Sequence, residues 1–385
     1  MALEKRTDHL YFHRPWIGPE EKQEILDCLD SGWLTTGPRT KEFEKRFAER
    51  IGVKHAIALN SCTAGLHLAL VGLNVGPGDE IVTTPLTFVA TVNVIEHVGA
   101  RPVFIDVDPR TGNIDPSKIE RAITPKTKAI LIVHYVGHPC EMDAICDIAR
   151  RRSVPVIEDA AHATESEYKG KRCGTFGHPA AFSFYATKNI TTGEGGMLVT
   201  DDDALATRLR ILALHGMNRD AWKRYSAEGS PTWQLEEPGF KYNMFDLQAA
   251  LGIHQLDKLE MFWRRRKEIV HRMRREISEI PGLRTVEDAG DVKSAYHLMP
   301  IYLTPKAKMK RDEANRAYKD WNVGTGIHFE CVHLQPYYRK KYGCKPGDCP
   351  VAEEMGANTL SLPLYPKMSD DDVQYVLDVT RAIFR

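Results

Sequence analysis

Short apolar runs alternate with amphipathic segments from about residue 19 to residue 215. The apolar runs are rich in Val, Ile and Phe, which is typical of strands buried on both faces of a sheet. They read HAIAL (55–59), EIVTT (80–84), PVFIDV (102–107), KAILIVH (128–134), PVIED (155–159), AFSF (181–184) and MLVT (197–200). Strands that alternate with helices predict an α/β fold, in which helices cover both faces of a mostly parallel sheet.

The intervening segments carry helix signals. EFEKRFAERIG spaces Phe43, Phe47 and Ile51 four residues apart and is followed by Gly52, a common helix stop. DPSKIERAI (115–123) opens on Asp-Pro, a helix start signal. MDAICDIARRR (142–152) ends in a basic turn, which suits the negative end of the helix dipole. We therefore predict a helix over each of these segments.

The pattern changes after about residue 216. Residues 217–239 are rich in Trp, Gly, Pro and charge and predict a long loop, and a helical stretch runs from Asp246 to about Ile280. The remainder mixes a strand-like segment, AYHLMPIYL (295–303), with helical ones such as RDEANRAYKDW and DDDVQYVLDVTRAIF. We predict a large cofactor-binding domain over residues 1–250 and a smaller C-terminal α+β domain over residues 251–385.

Composition narrows the class of protein. The chain has 385 residues and a formal net charge of +0, so no overall field attracts nucleic acid or an anionic membrane. Apolar stretches are interrupted before the length of a membrane span, and MALEKRTDHLYF contains no apolar signal-peptide core. No pair among the 8 Cys forms C-x-x-C. We expect a cytoplasmic protein with free thiols, no metal site, and neither nucleic acid nor membrane as a partner.

A candidate anion site follows the first strand. In HAIALNSCTAGLHLALVGL the strand ends at Asn60 and an amphipathic helix follows. The unpaired N–H groups at that helix start, together with the Ser61 and Thr63 hydroxyls, could bind a phosphate at the carboxyl edge of the sheet. A plain helix cap is the alternative interpretation. Neither G-x-G-x-x-G after this strand nor a G-x-x-x-x-G-K-S/T loop is present, which favours a small cofactor with one phosphate.

Two further segments end at the same predicted edge. In PVIEDAAHA, Asp159 ends a buried strand and shares a side with Ala161, so a carboxylate there needs a partner such as a protonated pyridine nitrogen. Capping of a following helix is equally compatible with Asp159. In TTPLTFVAT, Phe88 stands at a helix start, where an aromatic ring can stack on a flat ligand or simply pack in the core.

The segment SFYATKNITTGEGGM (183–197) completes the set. Ser183 and Lys188 flank the end of another strand, and a partly desolvated lysine there can form a Schiff base with a carbonyl. A solvated surface lysine is the alternative. A phosphate cap, an aromatic residue, a buried Asp and a Lys at one sheet edge are the parts that pyridoxal 5'-phosphate requires.

Motifs along nearly the whole chain resemble the DegT/StrS family of sugar aminotransferases, which are pyridoxal phosphate enzymes of fold type I. The branch that makes UDP-4-amino-4-deoxy-L-arabinose is the most similar. The motifs are SGWLTTGP (31–38), NSCTAGLHLAL (60–70), TPLTFVAT, EDAAHA, FSFYATKNITTGEGGM, GFKYNMFDLQAALG (239–252), GTGIHFE (324–330) and LSLPLYPKMS (360–369).

The resemblance implies roles for individual residues. Lys188 would bind the cofactor covalently and shuttle the proton, Asp159 would hold the pyridinium, and Phe88 would stack on the ring. His162 would contact the side of the ring that carries the hydroxyl, beside Ala161. The implied phosphate ligands are Ser61, Cys62 (through its backbone), Thr63, Ala64 and Ser183.

The resemblance also implies a homodimer with shared active sites. GFKYN stands where many family members read G-x-N-x-R, so either Lys241 or Asn243 would reach the phosphate of the neighbouring subunit. An amide can donate without adding a full charge, which favours Asn243. His328 lies where family members approach the sugar, and Tyr185 is a candidate contact with substrate.

The implied reaction is a ping-pong transamination from glutamate to a nucleotide-linked keto sugar, with a 4-keto sugar favoured. A cyclitol or a 3-keto sugar remains an alternative substrate. Related dehydratases carry His in place of the lysine, so Lys188 argues against dehydration. The intact Lys, Asp and Ser set argues against a non-catalytic sensor. The sequence leaves the nucleotide, the sugar and the pathway open.

Overall fold

The computed structural model describes residues 3–218, 233–288 and 290–384. Residues 219–232, most of the predicted loop over 217–239, lie outside the described residues. The helices are α1 (Pro19–Asp30), α2 (Pro38–Ile51), α3 (Cys62–Gly72), α4 (Val89–His97), α5 (Pro116–Ile119), α6 (Met142–Arg152), α7 (Asp203–Ala213), α8 (Asp246–Ile277), α9 (Arg311–Asp320), α10 (Pro336–Tyr342), α11 (Pro350–Asn358) and α12 (Asp370–Phe384).

In the part of the chain that the structure describes, the strands form three sheets. They are β1 (His55–Leu59), β2 (Glu80–Thr83), β3 (Arg101–Phe104), β4 (Thr127–Val133), β5 (Val156–Asp159), β6 (Glu167–Tyr168), β7 (Lys171–Arg172), β8 (Ala180–Ser183), β9 (Gly196–Thr200), β10 (Leu283–Thr285), β11 (Val292–Lys293), β12 (Met299–Leu303) and β13 (Thr359–Leu362). The large sheet has seven strands in the order β1-β9-β8-β5-β4-β2-β3.

The large sheet is mostly parallel, which confirms the predicted fold class. Strand β9 is the exception, because it pairs antiparallel with both β1 and β8. Residues 184–195, which join β8 to β9, contain no helix. A parallel pairing needs a crossover connection, usually a helix, whereas a short connection suits an antiparallel pair. The segment that contains Lys188 is this connection.

Local signals located several helices correctly. In α2, Phe43, Phe47 and Ile51 are buried, and Gly52 ends the helix with φ of 86°. The helix predicted over 115–123 is shorter than expected. Asp115 caps it, but the α-helix spans only Pro116–Ile119 before a 3₁₀ turn follows.

Two smaller three-stranded sheets accompany the large one, in the orders β10-β12-β13 and β11-β6-β7. The first packs with α8 and α12 around a separate hydrophobic core that contains Met299, Leu360 and Val376. The strand predicted over 295–303 begins only at Met299. Helix α8 continues past residue 250, and the boundary between 1–250 and 251–385 stays a prediction. Within the described residues, no helix combines the length and apolar character that a bilayer crossing requires.

Candidate active site

A cavity of about 320 Å³ lies at the carboxyl ends of β5 and β8, beside the first turns of α3 and α4. The structure brings together at this cavity most of the side chains that the sequence singled out. The predicted site residues that line it are Ser61, Cys62, Thr63, Phe88, Asp159, Ala161, His162, Ser183, Tyr185, Lys188 and His328. These residues come from segments far apart in the chain. They meet because the sheet places the carboxyl ends of its parallel strands at one edge.

The start of α3 forms one wall of the cavity. Ser61 is the N-cap, and its Oγ accepts a hydrogen bond of 3.1 Å from the Ala64 amide. Ala64 does not line the cavity, so its contact with the phosphate stays a prediction. Cys62 and Thr63 do line it and belong to the first helical turn, whose N–H groups and dipole favour an anion.

A glycine permits this turn to approach the sheet. A Cβ added at Gly196, the first residue of β9, would lie 2.3 Å from the carbonyl carbon of Ser61 and 2.4 Å from the amide nitrogen of Cys62. Both contacts are with backbone atoms, which cannot rotate away. Gly196 thus lets β9 and the start of α3 meet closely enough to form a cradle for an anion.

Asp159 ends β5 and is 5% exposed. Its Oδ2 accepts a hydrogen bond of 2.8 Å from the Thr91 hydroxyl, and its Oδ1 accepts one of 3.1 Å from the Ala161 amide. Burial raises the pKa of Asp159 above its ordinary value, while the Thr91 hydroxyl, the Ala161 amide and the charge of Lys188 oppose that rise. The sequence did not single out Thr91, because a helical threonine carries no signal of its partner.

Lys188 lies in the connection that follows β8, where its amide donates a hydrogen bond of 2.9 Å to the Tyr185 carbonyl. Burial lowers the pKa of its amine to about 8, against the opposing influence of Cys62 and Asp159. A pKa near neutrality leaves a useful fraction of the amine unprotonated, as a nucleophile or general base needs. Lys188 is not an ordinary solvated lysine.

Three aromatic side chains form a wall. The rings of His162 and Phe329 stack with their centroids 5.9 Å apart, and those of His162 and His297 are 4.3 Å apart. Burial lowers the pKa of His162 well below its ordinary value. Phe329 and His297 both line the cavity but were absent from the sequence prediction. His297 was hidden in AYHLMPIYL, which the apolar pattern assigned to a continuous strand.

His328 and Phe88 lie at the same cavity. The ring of His328 stacks on Phe12 with centroids 5.3 Å apart, and its Nδ1 lies 3.0 Å from the Ser361 hydroxyl. Burial lowers the pKa of His328 to about 4, so this imidazole is neutral at physiological pH. Phe88 is 58% exposed and stands at the N-cap of α4, which excludes the alternative that it is an ordinary core residue.

Lys241 and Asn243 do not line this cavity. The side-chain amide of Asn243 donates a hydrogen bond of 2.6 Å to the Thr36 hydroxyl, and the Asn243 backbone forms an antiparallel bridge with Leu59, the last residue of β1. The backbone carbonyl of Lys241 accepts a hydrogen bond of 3.3 Å from the side-chain amide of Asn60. A contact with the phosphate across a dimer therefore stays a prediction for both residues.

One group of potential metal ligands occurs among the described residues, namely His134, Glu158 and Cys173. The Cys140 amide donates to Nδ1 of His134, so Nε2 carries the proton and donates to Glu158 over 2.9 Å. Glu158 also accepts hydrogen bonds from nearby backbone amides. Hydrogen bonds thus already use the ligand atoms of His134 and Glu158, and we interpret the group as structural.

The residues at the cavity fit pyridoxal 5'-phosphate. The start of α3 can accept its phosphate, Asp159 can pair with its ring nitrogen, and the Lys188 amine can react with its aldehyde. Phe88 supplies an exposed aromatic face for the ring. An anion-binding helix start, a buried carboxylate and a reactive amine at one cavity together match the chemistry of this cofactor.

Comparison with known proteins agrees with this geometry. The model of the DegT/DnrJ/EryC1/StrS aminotransferase family matches residues 15–381. The chain is 51% identical over 385 residues to the spore coat polysaccharide biosynthesis protein SpsC of Bacillus subtilis, covering 100% of this chain and 99% of SpsC.

Two solved structures share the whole architecture. Helicobacter pylori PseC, an aminotransferase involved in pseudoaminic acid biosynthesis, is 29% identical, with a TM-score of 0.91 over 98% of this chain and 99% of PseC. The PMP form of Spr1654 from Streptococcus pneumoniae is 32% identical, with a TM-score of 0.91 over 97% of this chain and 98% of that one. The same protein has also been solved in a PLP form.

Proposed function

Because the chain belongs to the DegT/DnrJ/EryC1/StrS aminotransferase family, whose members use pyridoxal phosphate, we propose that it transfers an amino group from glutamate to a nucleotide-linked 4-keto sugar. One observation carries the proposal: the cavity combines the Lys188 amine, the buried Asp159 carboxylate and the anion-binding start of α3. The name of SpsC refers to polysaccharide biosynthesis, which supports an amino sugar as the product.

Different polar groups of the cavity bind different parts of the cofactor. When bound, pyridoxal phosphate withdraws electrons through its ring and carries the amino group from one substrate to the other. Asp159 pairs with the ring nitrogen and favours its protonated form, because an ionised carboxylate stabilises a neighbouring positive charge. The amides of Cys62 and Thr63 hold the phosphate at the start of α3, with help from the hydroxyls of Ser61 and Ser183.

Lys188 performs the proton transfers. Its amine would hold the cofactor covalently between turnovers and, once released, would move a proton between the substrate carbon and the cofactor carbon. The lowered pKa of about 8 suits both directions, since proton donor and acceptor forms coexist near neutral pH. Phe88 and His162, which line the same cavity as Lys188, would contact the flat ring of the cofactor.

The remaining predicted residues serve substrate recognition and assembly. Tyr185 is 46% exposed and His328 is neutral, so both can contact a sugar without adding charge to the cavity. Asn243, with Lys241 as the alternative, reaches the phosphate of a second subunit in the proposed homodimer. This assignment explains why neither residue lines the cavity of its own chain.

A substrate panel tests the proposal. Purified protein is incubated with glutamate and UDP-, dTDP- or GDP-linked keto sugars, and 2-oxoglutarate is quantified. We expect release of 2-oxoglutarate with one substrate class, and NMR of the product should place the new amine on C4. Amination at C3, or activity only with a cyclitol, would contradict the proposed substrate. Binding of a keto sugar without 2-oxoglutarate release would contradict the proposed catalysis.

A further inference from the structure

The Thr91 hydroxyl connects the Asp159 carboxylate to a second threonine. Its Oγ1 lies 2.8 Å from Oδ2 of Asp159 and 2.8 Å from Oγ1 of Thr87. Thr87 and Thr91 are 2% and 1% exposed, so bulk water cannot replace either hydroxyl. A hydrogen bond to a buried ionised group is stronger than one between neutral groups.

The direction of these hydrogen bonds follows from the charge of Asp159. An ionised carboxylate only accepts, so Thr91 donates its single proton to Asp159. The Thr91 oxygen is then an acceptor for Thr87, and the two hydroxyls form a donor chain that ends at the carboxylate. Both dipoles point their positive ends toward the negative charge, which stabilises it.

The helix that carries Thr91 makes this arrangement rigid. Thr91 belongs to the first turn of α4, where its amide donates a hydrogen bond of 3.2 Å to the Phe88 carbonyl. Val92, Val94 and Ile95 anchor the same helix and are 0% exposed. The first turn of α4 therefore carries both the hydroxyl that donates to Asp159 and the exposed Phe88 ring, and it fixes their positions relative to each other.

We propose that Thr91 is a positioning residue, supported by Thr87, which keeps the Asp159 carboxylate ionised and directed toward the ring nitrogen of the cofactor. The inference rests on the proposed role of Asp159. Each oxygen of Asp159 accepts one hydrogen bond from the protein, from Thr91 or from Ala161. Each oxygen also keeps a second lone pair, so one of them remains available to a ring N–H.

Asp159 needs the hydrogen bond from Thr91 because its buried environment disfavours the ionised carboxylate. Burial favours the neutral form of Asp159, and the titratable groups that act on its charge are Lys188, Cys62 and His134. The charge of Lys188 lowers the pKa of Asp159, but the Thr91 hydroxyl opposes the effect of burial more strongly. Removing that hydroxyl raises the pKa, so Asp159 becomes protonated at a higher pH and no longer favours a protonated ring.

The experiment measures cofactor affinity apart from catalysis. Pyridoxamine 5'-phosphate carries an amine in place of the aldehyde, so it cannot react with Lys188, and its dissociation constant for the apoprotein is obtained by equilibrium dialysis. We expect Thr91→Val to weaken binding about tenfold at pH 7. The decline in affinity on acidification should begin about one pH unit higher than in the wild type. Thr91→Ser retains the hydroxyl and should stay within about threefold of the wild type.

A double-mutant cycle separates positioning from packing. In an Asp159→Asn background the charge is absent, so Thr91→Val should change the affinity by less than about twofold. Equal losses in both backgrounds, or no loss from Thr91→Val beside a clear loss from Asp159→Asn, would overturn the inference. No loss from Asp159→Asn would overturn the proposed role of Asp159 as well. Circular dichroism monitors folding, and Thr91→Ala replaces Thr91→Val if the latter does not fold.

Discussion

The ring Nδ1 of His297 lies 2.8 Å from the side-chain oxygen of Asn189. The amide nitrogen of Asn189 donates to Glu165 over 2.8 Å and to the Ala295 carbonyl over 2.9 Å. Both of those partners are acceptors, so the Asn189 oxygen has to face His297, and it can only accept. His297 therefore carries its proton on Nδ1, and its Nε2 keeps a lone pair.

The hydrogen bond between His297 and Asn189 predicts that His297 is neutral and carries its proton on Nδ1. Burial lowers the pKa of His297 well below its ordinary value, and the nearby Lys188 and Arg266 act in the same direction. We expect ¹⁵N NMR of histidine-labelled protein to show His297 neutral, with Nδ1 protonated, from pH 5 to pH 8. His297→Gln assigns the signal. A signal that shifts to the doubly protonated form near pH 6 would contradict the prediction.

The lowered pKa of Lys188 predicts the pH dependence of cofactor attachment. The unprotonated amine reacts, and with a pKa of about 8 about a tenth of it is in that form at pH 7. Stopped-flow absorbance of apoprotein mixed with pyridoxal phosphate should show a rate that rises with pH and levels off above about pH 8. Lys188→Arg should abolish attachment. A rate that keeps rising to pH 10, as for an ordinary lysine, would refute the lowered pKa.

Gly196→Ala should weaken anion binding at the start of α3. The added Cβ would meet backbone atoms of Ser61 and Cys62 at less than 2.6 Å, so β9 and the start of α3 have to separate. We expect the affinity for pyridoxamine 5'-phosphate to fall at least about tenfold. Gly76→Ala is the matched control, since its Cβ would meet nothing within 4 Å. Equal affinities of the two variants would show that the approach of Gly196 is not required.

Glu158→Gln should destabilise the protein. Burial raises the pKa of Glu158, but the hydrogen bonds from His134 and from backbone amides outweigh it and hold the pKa below its ordinary value. Its contribution is therefore present above the unfolded pKa and is lost as pH falls through the depressed folded value. We expect a loss of about 3 kcal/mol in the free energy of unfolding at pH 7, because a Gln amide group would face N–H donors.

Urea unfolding at several pH values checks this prediction. The difference in the free energy of unfolding between wild type and Glu158→Gln should narrow below about pH 4.5, where Glu158 of the unfolded wild type begins to take up a proton. Glu120→Gln, which removes only exposed ion pairs with Arg151 and Arg152, should leave the free energy of unfolding nearly unchanged. If the loss of unfolding free energy in Glu158→Gln did not vary with pH, the ionised carboxylate of Glu158 would not be the source of the stabilisation.

The proposed sharing of active sites between two subunits predicts complementation between inactive variants. Each proposed site combines Lys188 of one subunit with Asn243 of the other. A dimer of one Lys188→Ala protomer and one Asn243→Ala protomer would therefore contain one intact site. After random exchange of subunits about a quarter of the sites should be active, measured as 2-oxoglutarate release. Lys241→Ala in place of Asn243→Ala tests the alternative ligand. The absence of recovery for both pairs would contradict a site shared across subunits.

The chain by itself determined the features that arise from local physics. Alternating apolar and amphipathic segments predicted the α/β sheet, and the polar residues that follow buried strands predicted Ser61, Asp159 and Lys188 at one edge. Helix starts leave unpaired amides wherever they occur, and parallel strands end together, so these predictions need no knowledge of distant contacts.

Tertiary structure alone decided which distant groups meet. Thr91 and Asp159 are 68 positions apart, and Asn189 and His297 are 108 apart, so no local pattern marks either pair. The reversal of β9 was also missed, because apolar runs reveal burial but not strand direction. Hydrogen-bond direction, tautomer and pKa depend on such contacts in a buried environment, and they exist only once the chain has folded.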